Sequence, residues 1–381
     1  MDVKKIAVIG AGAMGSGIAQ MGIMAGYTVT LNDVEQRFVD KGASAILKGL
    51  ARLEGKGKIT SAQKEDMLAH LITSTDMKAA VSDADLVIEA VFEDMGLKKK
   101  IFTDLGTYSP KHAILASNTS SMSISEIAAV TGRPEKVVGM HFFNPATLLK
   151  LVEVIYAEHS SDESVQVTCD VATKMGKVAV VVRKDSPGFI VNRVNAPVVL
   201  FHQLILEKGT PTPQEFDAAF KAFMPMAPFE LWDYVGIDIV LHTQQYYSET
   251  LSKDYAPRKA LKDLVATGNL GMKTGKGIYD WSQGRPTIDL TNPTQEYDLS
   301  HILAIQVNEA TKILEEGVAK DPQDIDLAMT NGGNGTGVFS LVDTFGHEKL
   351  VARLNELADA FGIDTFKPTK TMLAGGVSLA K

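Results

Sequence analysis

The sequence predicts an α/β domain built on a parallel sheet, followed by two all-helical domains that are tandem copies of one another. Three observations predict it. From residue 4 to about residue 186, short β-branched runs alternate with helical periodicity, the pattern of a parallel sheet covered on both faces. Beyond Ser186-Pro187-Gly188 the pattern turns helical, with almost no strand signal. Inside the helical part a motif series repeats. Leu204 to Gly209 recurs as Lys312 to Gly317 at an offset of 108, Gln214 to Ala219 as Gln323 to Ala328 at 109, and Phe229 to Asp233 as Phe339 to Asp343 at 110. Three matches in order with a drifting offset mark a duplication with small insertions. The expected domains are 1–186, 187–282 and 298–381. The stretch from Gln283 to Asp298, with Gly284, Pro286 and Pro293, reads as a connector.

Composition narrows the class. The chain has 381 residues, 45% hydrophobic and 22% charged, which excludes disorder and fibrous repeats and is too long for one core. A net charge of −8 argues against nucleic-acid binding, which needs a basic face. One cysteine, Cys169, forms no internal disulfide and fits a reducing compartment, so the expected location is the cytoplasm. The eight histidines show no close ligand spacing, so no metal is expected.

The first domain opens on Ile6-Ala7-Val8-Ile9, a buried strand. No charge appears from Ile6 to Leu31, but six glycines and two different periods argue against a membrane helix. Tyr27 to Asn32 is a second strand and Gln36 to Arg52 a helix. Asp85 to Val91, Ala113 to Ala116 and Val137 to Met140 are further strands, and Leu151 to Ile155 is an apolar run of strand type.

Gly10-Ala11-Gly12-Ala13-Met14-Gly15 follows the first strand and opens a helix, the context that makes a GxGxxG a dinucleotide fingerprint. Gly10 allows the tight turn, Gly12 lets the backbone approach a pyrophosphate, and Gly15 lets helix and strand pack. Ala13 and Met14 lie where the helix N-terminus offers free N–H groups. Asp33 ends the second strand, 18 residues after Gly15. Its carboxylate can accept both ribose hydroxyls and repels a 2′-phosphate, which favours NAD over NADP.

Ser117-Asn118-Thr119-Ser120-Ser121 stands at the carboxyl end of a strand, where it can bind ligand, cap the next helix, or do both. His141 follows the Val137–Met140 strand. Glu153 lies inside an apolar strand, where a carboxylate is costly unless paired. A histidine twelve residues earlier, across a short turn, is its natural partner. Such a pair fixes the imidazole tautomer and raises its basicity, as a general base for an alcohol requires. Lys98-Lys99-Lys100 reads as a solvated helix face. Asn192-Arg193 opens the first helical domain, as a cap or as a reaching group.

The segments GAGAMGSGIAQ (10–20), DLVIEAVFED (85–94), ILASNTSSMSI (114–124), VVGMHFFNPATLLKLVEVI (137–155), DSPGFIVNR (185–193), MAPFELWDYVGID (226–238) and LGMKTGKGIYDW (270–281) together resemble the L-3-hydroxyacyl-CoA dehydrogenases, most nearly the 3-hydroxybutyryl-CoA dehydrogenases. The resemblance implies a Rossmann-type first domain and reversible NAD-dependent oxidation of a (3S)-3-hydroxyacyl-CoA to the 3-oxoacyl-CoA, a reaction of fatty-acid β-oxidation. It implies that His141 is the general acid/base and Glu153 its orienting carboxylate. By the same resemblance Ser120 contacts the reacting end of the substrate and the nicotinamide, and Asn192 completes the polar pocket. Glu93, Lys98, Asn144 and Lys273 align with NAD contacts, and Asp33 with the ribose ligand. Arg52 and Lys56 lie on the helix that meets CoA, with Arg52 standing where a lysine is usual.

Two departures stand out. Ala227 replaces the family's glycine before Pro228, which can shift a turn. In the second copy an offset of 108 carries Asn192 to Ser300 and Arg193 to His301, so the Asn-Arg pair is missing there. The second copy is therefore expected to be architectural. It would replace the helical-domain dimer contact of two-domain relatives, leaving either a homodimer or a monomer with an internal pseudo-dimer. Phe142, Phe143 and Met226 are bulky candidates for restricting the acyl tail. The competing readings are a CoA-independent hydroxyacid or sugar-acid dehydrogenase and a non-catalytic NAD-binding protein. The intact set Ser120, His141, Glu153 and Asn192 argues against the latter.

Overall fold

The computed structural model describes residues 1–377 and 379. Eight short strands form one sheet: β1 (Lys5–Ile9), β2 (Thr28–Asn32), β3 (Leu71–Ser74), β4 (Leu86–Glu89), β5 (Ile114–Ser117), β6 (Val137–Phe142), β7 (Leu151–Tyr156) and β8 (Val178–Val182). Their order is β3-β2-β1-β4-β5-β6-β7-β8. Every pairing is parallel except β6 with β7, which is antiparallel. The central strands β4, β5 and β6 are buried along their whole length, as apolar runs in a doubly covered sheet must be. Two strands lie outside the sequence reading. The edge strand β3 has no buried residue and carries little pattern, whereas β8 is a plain Val-rich run.

By packing, the chain divides into two units, residues 1–191 with 316–337, and residues 192–315 with 338–381. In the first unit the uncharged N-terminal stretch resolves into β1, the helix Ala13–Met24 and β2. No helix among the described residues is long and apolar enough to cross a membrane. The unit's core joins Ile18 and Ile23 to Val29, Leu31, Ile88, Met140, Val154 and Val171. Part of the second copy belongs here. The Arg183 N–H donates to the Val318 carbonyl (2.7 Å), and the helix Pro322–Met329 packs on β8. An otherwise open sheet edge is thereby covered.

The second unit is helical. The helix Val191–Lys208 opens the first copy and Leu299–Glu315 opens the second. Their starts are 108 residues apart, the offset of the repeat. One apolar cluster draws on both copies and the connector: Phe201, Phe216, Phe229 and Trp232 from the first, Ile302, Ile305 and Phe366 from the second, and Tyr297 from the connector. Ala227, where a shifted turn was expected, has φ −70° and ψ 161°, extended backbone that any residue adopts.

Candidate active site

The turn after β1 is tight for a visible reason. Gly10 has φ +103°, and a Cβ there would lie 2.5 Å from the Ala90 carbonyl oxygen. At Gly15 a Cβ would sit 1.8 Å from the Gly10 oxygen, so helix Ala13–Met24 and strand close up only with glycine. At Gly12 nothing lies within 4 Å of the position a Cβ would take. That open face, at the start of a helix with no acidic residue in its first turn, fits a pyrophosphate. Asp33 follows β2. Its Oδ2 accepts the Ala11 N–H (2.8 Å) and its Oδ1 the Val34 N–H (2.7 Å), fixing a half-buried carboxylate beside the loop. These residues fit a dinucleotide with an unphosphorylated ribose.

The carboxyl ends of β4 and β5 carry a polar network. Glu89, fully buried at the end of β4, accepts from Lys98 Nζ (2.7 Å), the Val91 N–H (2.8 Å) and Ser117 Oγ (2.6 Å). Lys98 is 1% exposed and lies 3.3 Å from Glu93 as well. The solvated-face reading of Lys98-Lys99-Lys100 is therefore corrected for its first member. The Asp94-capped helix Met95–Tyr108 turns Lys98 onto the sheet, while Lys100 stays exposed. Glu93 Oε1 in turn accepts the Ser120 N–H (2.8 Å), Ser120 Oγ (3.2 Å) and Thr119 Oγ1 (3.1 Å). Thus Glu93 and Lys98, from the start of one helix, and Ser120, from the next strand's loop, form one network. Asn118 Oδ1 accepts the Phe142 N–H (2.9 Å), tying the serine-rich loop to β6. The cap of the next helix, Ile124–Ala128, is Ser123, outside the Ser117–Ser121 cluster.

His141 lies within β6, not beyond its end, because the strand runs on to Phe142. It faces Glu153 of β7 in the antiparallel register, and Nδ1 is 2.8 Å from Oε2. A carboxylate only accepts, so Nδ1 donates and Nε2 is left as the accepting nitrogen. Glu153 is fully buried, and its Oε1 accepts the N–H groups of Ile190 (3.1 Å) and Val191 (2.9 Å), where the helix Val191–Lys208 begins. The imidazole is packed by two rings, Phe143 at 4.4 Å and Phe189 at 5.8 Å between centroids. Phe189 has φ +54°, a left-handed conformation that costs about 1–2 kcal/mol for a residue with a Cβ. It leads directly into the two N–H groups on Glu153. Phe142 points away into the sheet's core, so it does not line an open cleft. Phe143 is a wall of the imidazole, and Met226 is half-buried in the second unit.

The remaining candidates are more dispersed. Asn144 is exposed just after β6. Arg52 is exposed in the last turn of the helix Gln36–Gly55, and Lys56 is the residue that caps it rather than part of it. Asn192 and Lys273 belong to the second unit, where Lys273 Nζ meets Asp238 Oδ1 at 2.5 Å. No group of metal-binding side chains occurs among the described residues. Three contributors escaped the sequence reading. Glu89 satisfies the test that singled out Glu153, a carboxylate inside an apolar strand. Buried Lys177 donates to the carbonyls of Ala146 and Leu149, bracing the link between His141 and Glu153, and burial lowers its pKa. Phe189 gave no signal, since backbone strain is not written in residue type.

Comparison with known proteins places the chain among relatives. Residues 5–186 match the family model for the NAD binding domain of 3-hydroxyacyl-CoA dehydrogenase. Residues 188–281 match the model for its C-terminal domain, and residues 298–375 match that same model again. A 3-hydroxybutyryl-CoA dehydrogenase of Clostridioides difficile is 40% identical over 73% of this chain and 100% of its own length. The mitochondrial hydroxyacyl-coenzyme A dehydrogenase of Mus musculus is 38% identical over 73% of this chain and 91% of its own. The crystal structure of 3-hydroxybutyryl-CoA dehydrogenase from Escherichia coli K12 superposes with a TM-score of 0.90 at 29% identity, covering 98% of both chains. The chain belongs to the 3-hydroxyacyl-CoA dehydrogenase family, with the family's NAD-binding domain followed by two copies of its C-terminal domain.

Proposed function

We propose that this enzyme catalyses the reversible NAD-dependent oxidation of (3S)-3-hydroxyacyl-CoA to 3-oxoacyl-CoA, with 3-hydroxybutyryl-CoA as the preferred substrate and His141 as the general acid/base. The observation that carries this reading is the buried His141–Glu153 pair in β6 and β7. In the oxidative direction His141 Nε2 takes the proton of the substrate hydroxyl as the carbon–oxygen bond becomes a carbonyl. The hydride leaving the same carbon would be taken up by the chemistry that NAD supplies when bound. Glu153 holds the ring through Nδ1 and balances the imidazolium that forms. Gly10, Gly12, Ala13, Met14, Gly15 and Asp33 hold the dinucleotide, with Glu93, Lys98, Asn144 and Lys273 as further contacts. Ser120 and Asn192 bind the reacting end of the substrate. Arg52 and Lys56 pair with CoA phosphates.

The working organisation is a cofactor domain over 1–186, a helical domain over 187–282 and a second, architectural copy over 298–381. In it the second copy stands in for a dimer partner, in a chain of the reducing cytoplasm. NADH formation from 3-hydroxyacyl-CoA thioesters of four to sixteen carbons, with the free acids as controls, tests the function. Turnover of thioesters, highest for the four-carbon chain, is expected. Equal turnover of free acids, or none of any thioester, contradicts it.

A further inference from the structure

The proposed chemistry gives Glu89 no task, yet this residue stands where open α/β sheets take their ligands. From β1 the sheet grows outward through β2 and β3, and the chain then returns to lay β4 on the other side of β1. Such a reversal opens a crevice between the carboxyl ends of the two strands it separates, and ligands bind there. Glu89 ends β4, in register with Ile9 of β1 on one side and Ser117 of β5 on the other. The Ala90 N–H donates to the Ile9 carbonyl (2.7 Å), and the Asn118 N–H donates to the Glu89 carbonyl (2.8 Å). Glu89 thus joins the glycine loop to the serine-rich loop at the crevice.

Stability alone does not explain an ion pair at this place. Glu89 and Lys98 both give up their hydration, and a well-packed apolar pair in their stead is often as stable or more so. What the pair does is divide a charge. Lys98 Nζ lies 2.7 Å from Glu89 Oε1 and 3.3 Å from Glu93 Oε2, so the ammonium is held toward the buried carboxylate. Donors meet both oxygens of Glu89: Lys98 and the Val91 N–H on Oε1, Ser117 Oγ on Oε2. Glu93 is the member that reaches solvent, and its Oε1 is the oxygen that receives Ser120 and Thr119. Two carboxylates share one ammonium, which leaves the network one negative charge in excess, on the side of Glu93.

We infer that Glu89 is a positioning residue that sets which redox form of the cofactor the site prefers. By holding Lys98 back it leaves Glu93 a charge that the ammonium does not cancel. The nicotinamide ring is a cation in NAD and neutral in NADH, so an excess negative charge beside the cofactor favours the oxidised form. Contacts to the adenosine and the pyrophosphate are common to both forms and cancel in the ratio of the two dissociation constants. The ratio therefore reads the charge of the network. A residue that served only the fold would change both constants together. The inference rests on the proposed NAD site, in which Glu93 and Lys98 are contacts.

The test is the Kd of the full chain for NADH, by fluorescence, and for NAD, by competition, both without substrate. Glu89→Gln keeps the size of the side chain and removes its charge, which brings the network to neutrality. The Kd for NAD divided by that for NADH should rise about tenfold, the low end of what one neighbouring charge does to an ionisation equilibrium. Lys98→Met takes the charge the other way and should lower the same ratio, and it decides the matter if the Glu89→Gln chain does not fold. Joining the two substitutions restores an excess of one negative charge and should return the ratio to that of the wild type. An unchanged ratio in whichever single variant folds, or a shift in the same direction in both, overturns the role given to Glu89. A wild-type chain that binds neither cofactor overturns the NAD reading itself.

Discussion

Glu153 divides its two oxygens between different tasks: Oε2 holds Nδ1 of His141 at 2.8 Å, and Oε1 takes the N–H groups of Ile190 and Val191 at 3.1 and 2.9 Å. The carboxylate therefore aligns the imidazole and pins the chain that leaves the strained Phe189. A glutamine cannot serve both sides, because its NH2 group must face either the donor nitrogen or the donor N–H groups. Glu153→Gln should cost about 1–3 kcal/mol of stability from an unsatisfied buried group. It should lower kcat about 10²- to 10⁴-fold while leaving the KM for NAD near its starting value. Urea unfolding and steady-state kinetics check both, and an unchanged kcat would remove the positioning role.

Lys98 and Glu89 form a buried pair, so loss of one partner is worse than loss of both. Lys98→Met should destabilise by about 3–5 kcal/mol, and adding Glu89→Gln should recover part of it. Denaturant midpoints of the two single variants and the double variant measure this. A single variant within about 1 kcal/mol of wild type would show Lys98 to be solvated after all.

Asp33, whose carboxylate is held beside the glycine loop by the Ala11 N–H, is the residue we propose tells NAD from its 2′-phosphorylated analogue. Asp33→Asn removes a charged acceptor whose hydrogen bonds contribute about 1.5–3 kcal/mol. The KM for NAD should rise roughly ten- to a hundredfold, that for NADP should fall, and initial rates with each cofactor decide it.

Glu230 gives the helical unit an acid-sensitive element. Burial alone would raise its pKa, but hydrogen bonds from Arg285, Lys221 (2.7 Å) and the Ala227 N–H (3.1 Å) outweigh burial and pull it from 4.5 to about 2. A carboxylate whose folded pKa is depressed stabilises the fold above its unfolded pKa and loses that contribution as pH falls. The loss should run from about pH 4.5 down to about 2. Urea midpoints across that range should fall more steeply for wild type than for Glu230→Gln, and identical slopes would exclude Glu230 as the cause.

Much of this was legible in the sequence. The glycine loop declared itself by its place between strand and helix, and Glu153 by the cost of a carboxylate in an apolar run. The repeat reached as far as the matching helix starts at Val191 and Leu299. What was not legible has physical reasons. A strand's residues do not state whether its neighbour runs parallel or antiparallel, so the pairing of His141 with Glu153 was visible as a need and not as a register. Three lysines in a row look alike, and only the helix phase puts Lys98 on the sheet while Lys100 faces water. The contact between Arg193 and Glu309 required knowing which helices cross.

The most direct test of the central claim is the single-turnover and steady-state rate of His141→Ala with 3-hydroxybutyryl-CoA, measured beside NADH binding by fluorescence. Loss of the base should lower kcat about 10²- to 10⁴-fold with NADH affinity intact. A variant that turns over at the wild-type rate would contradict the mechanism outright.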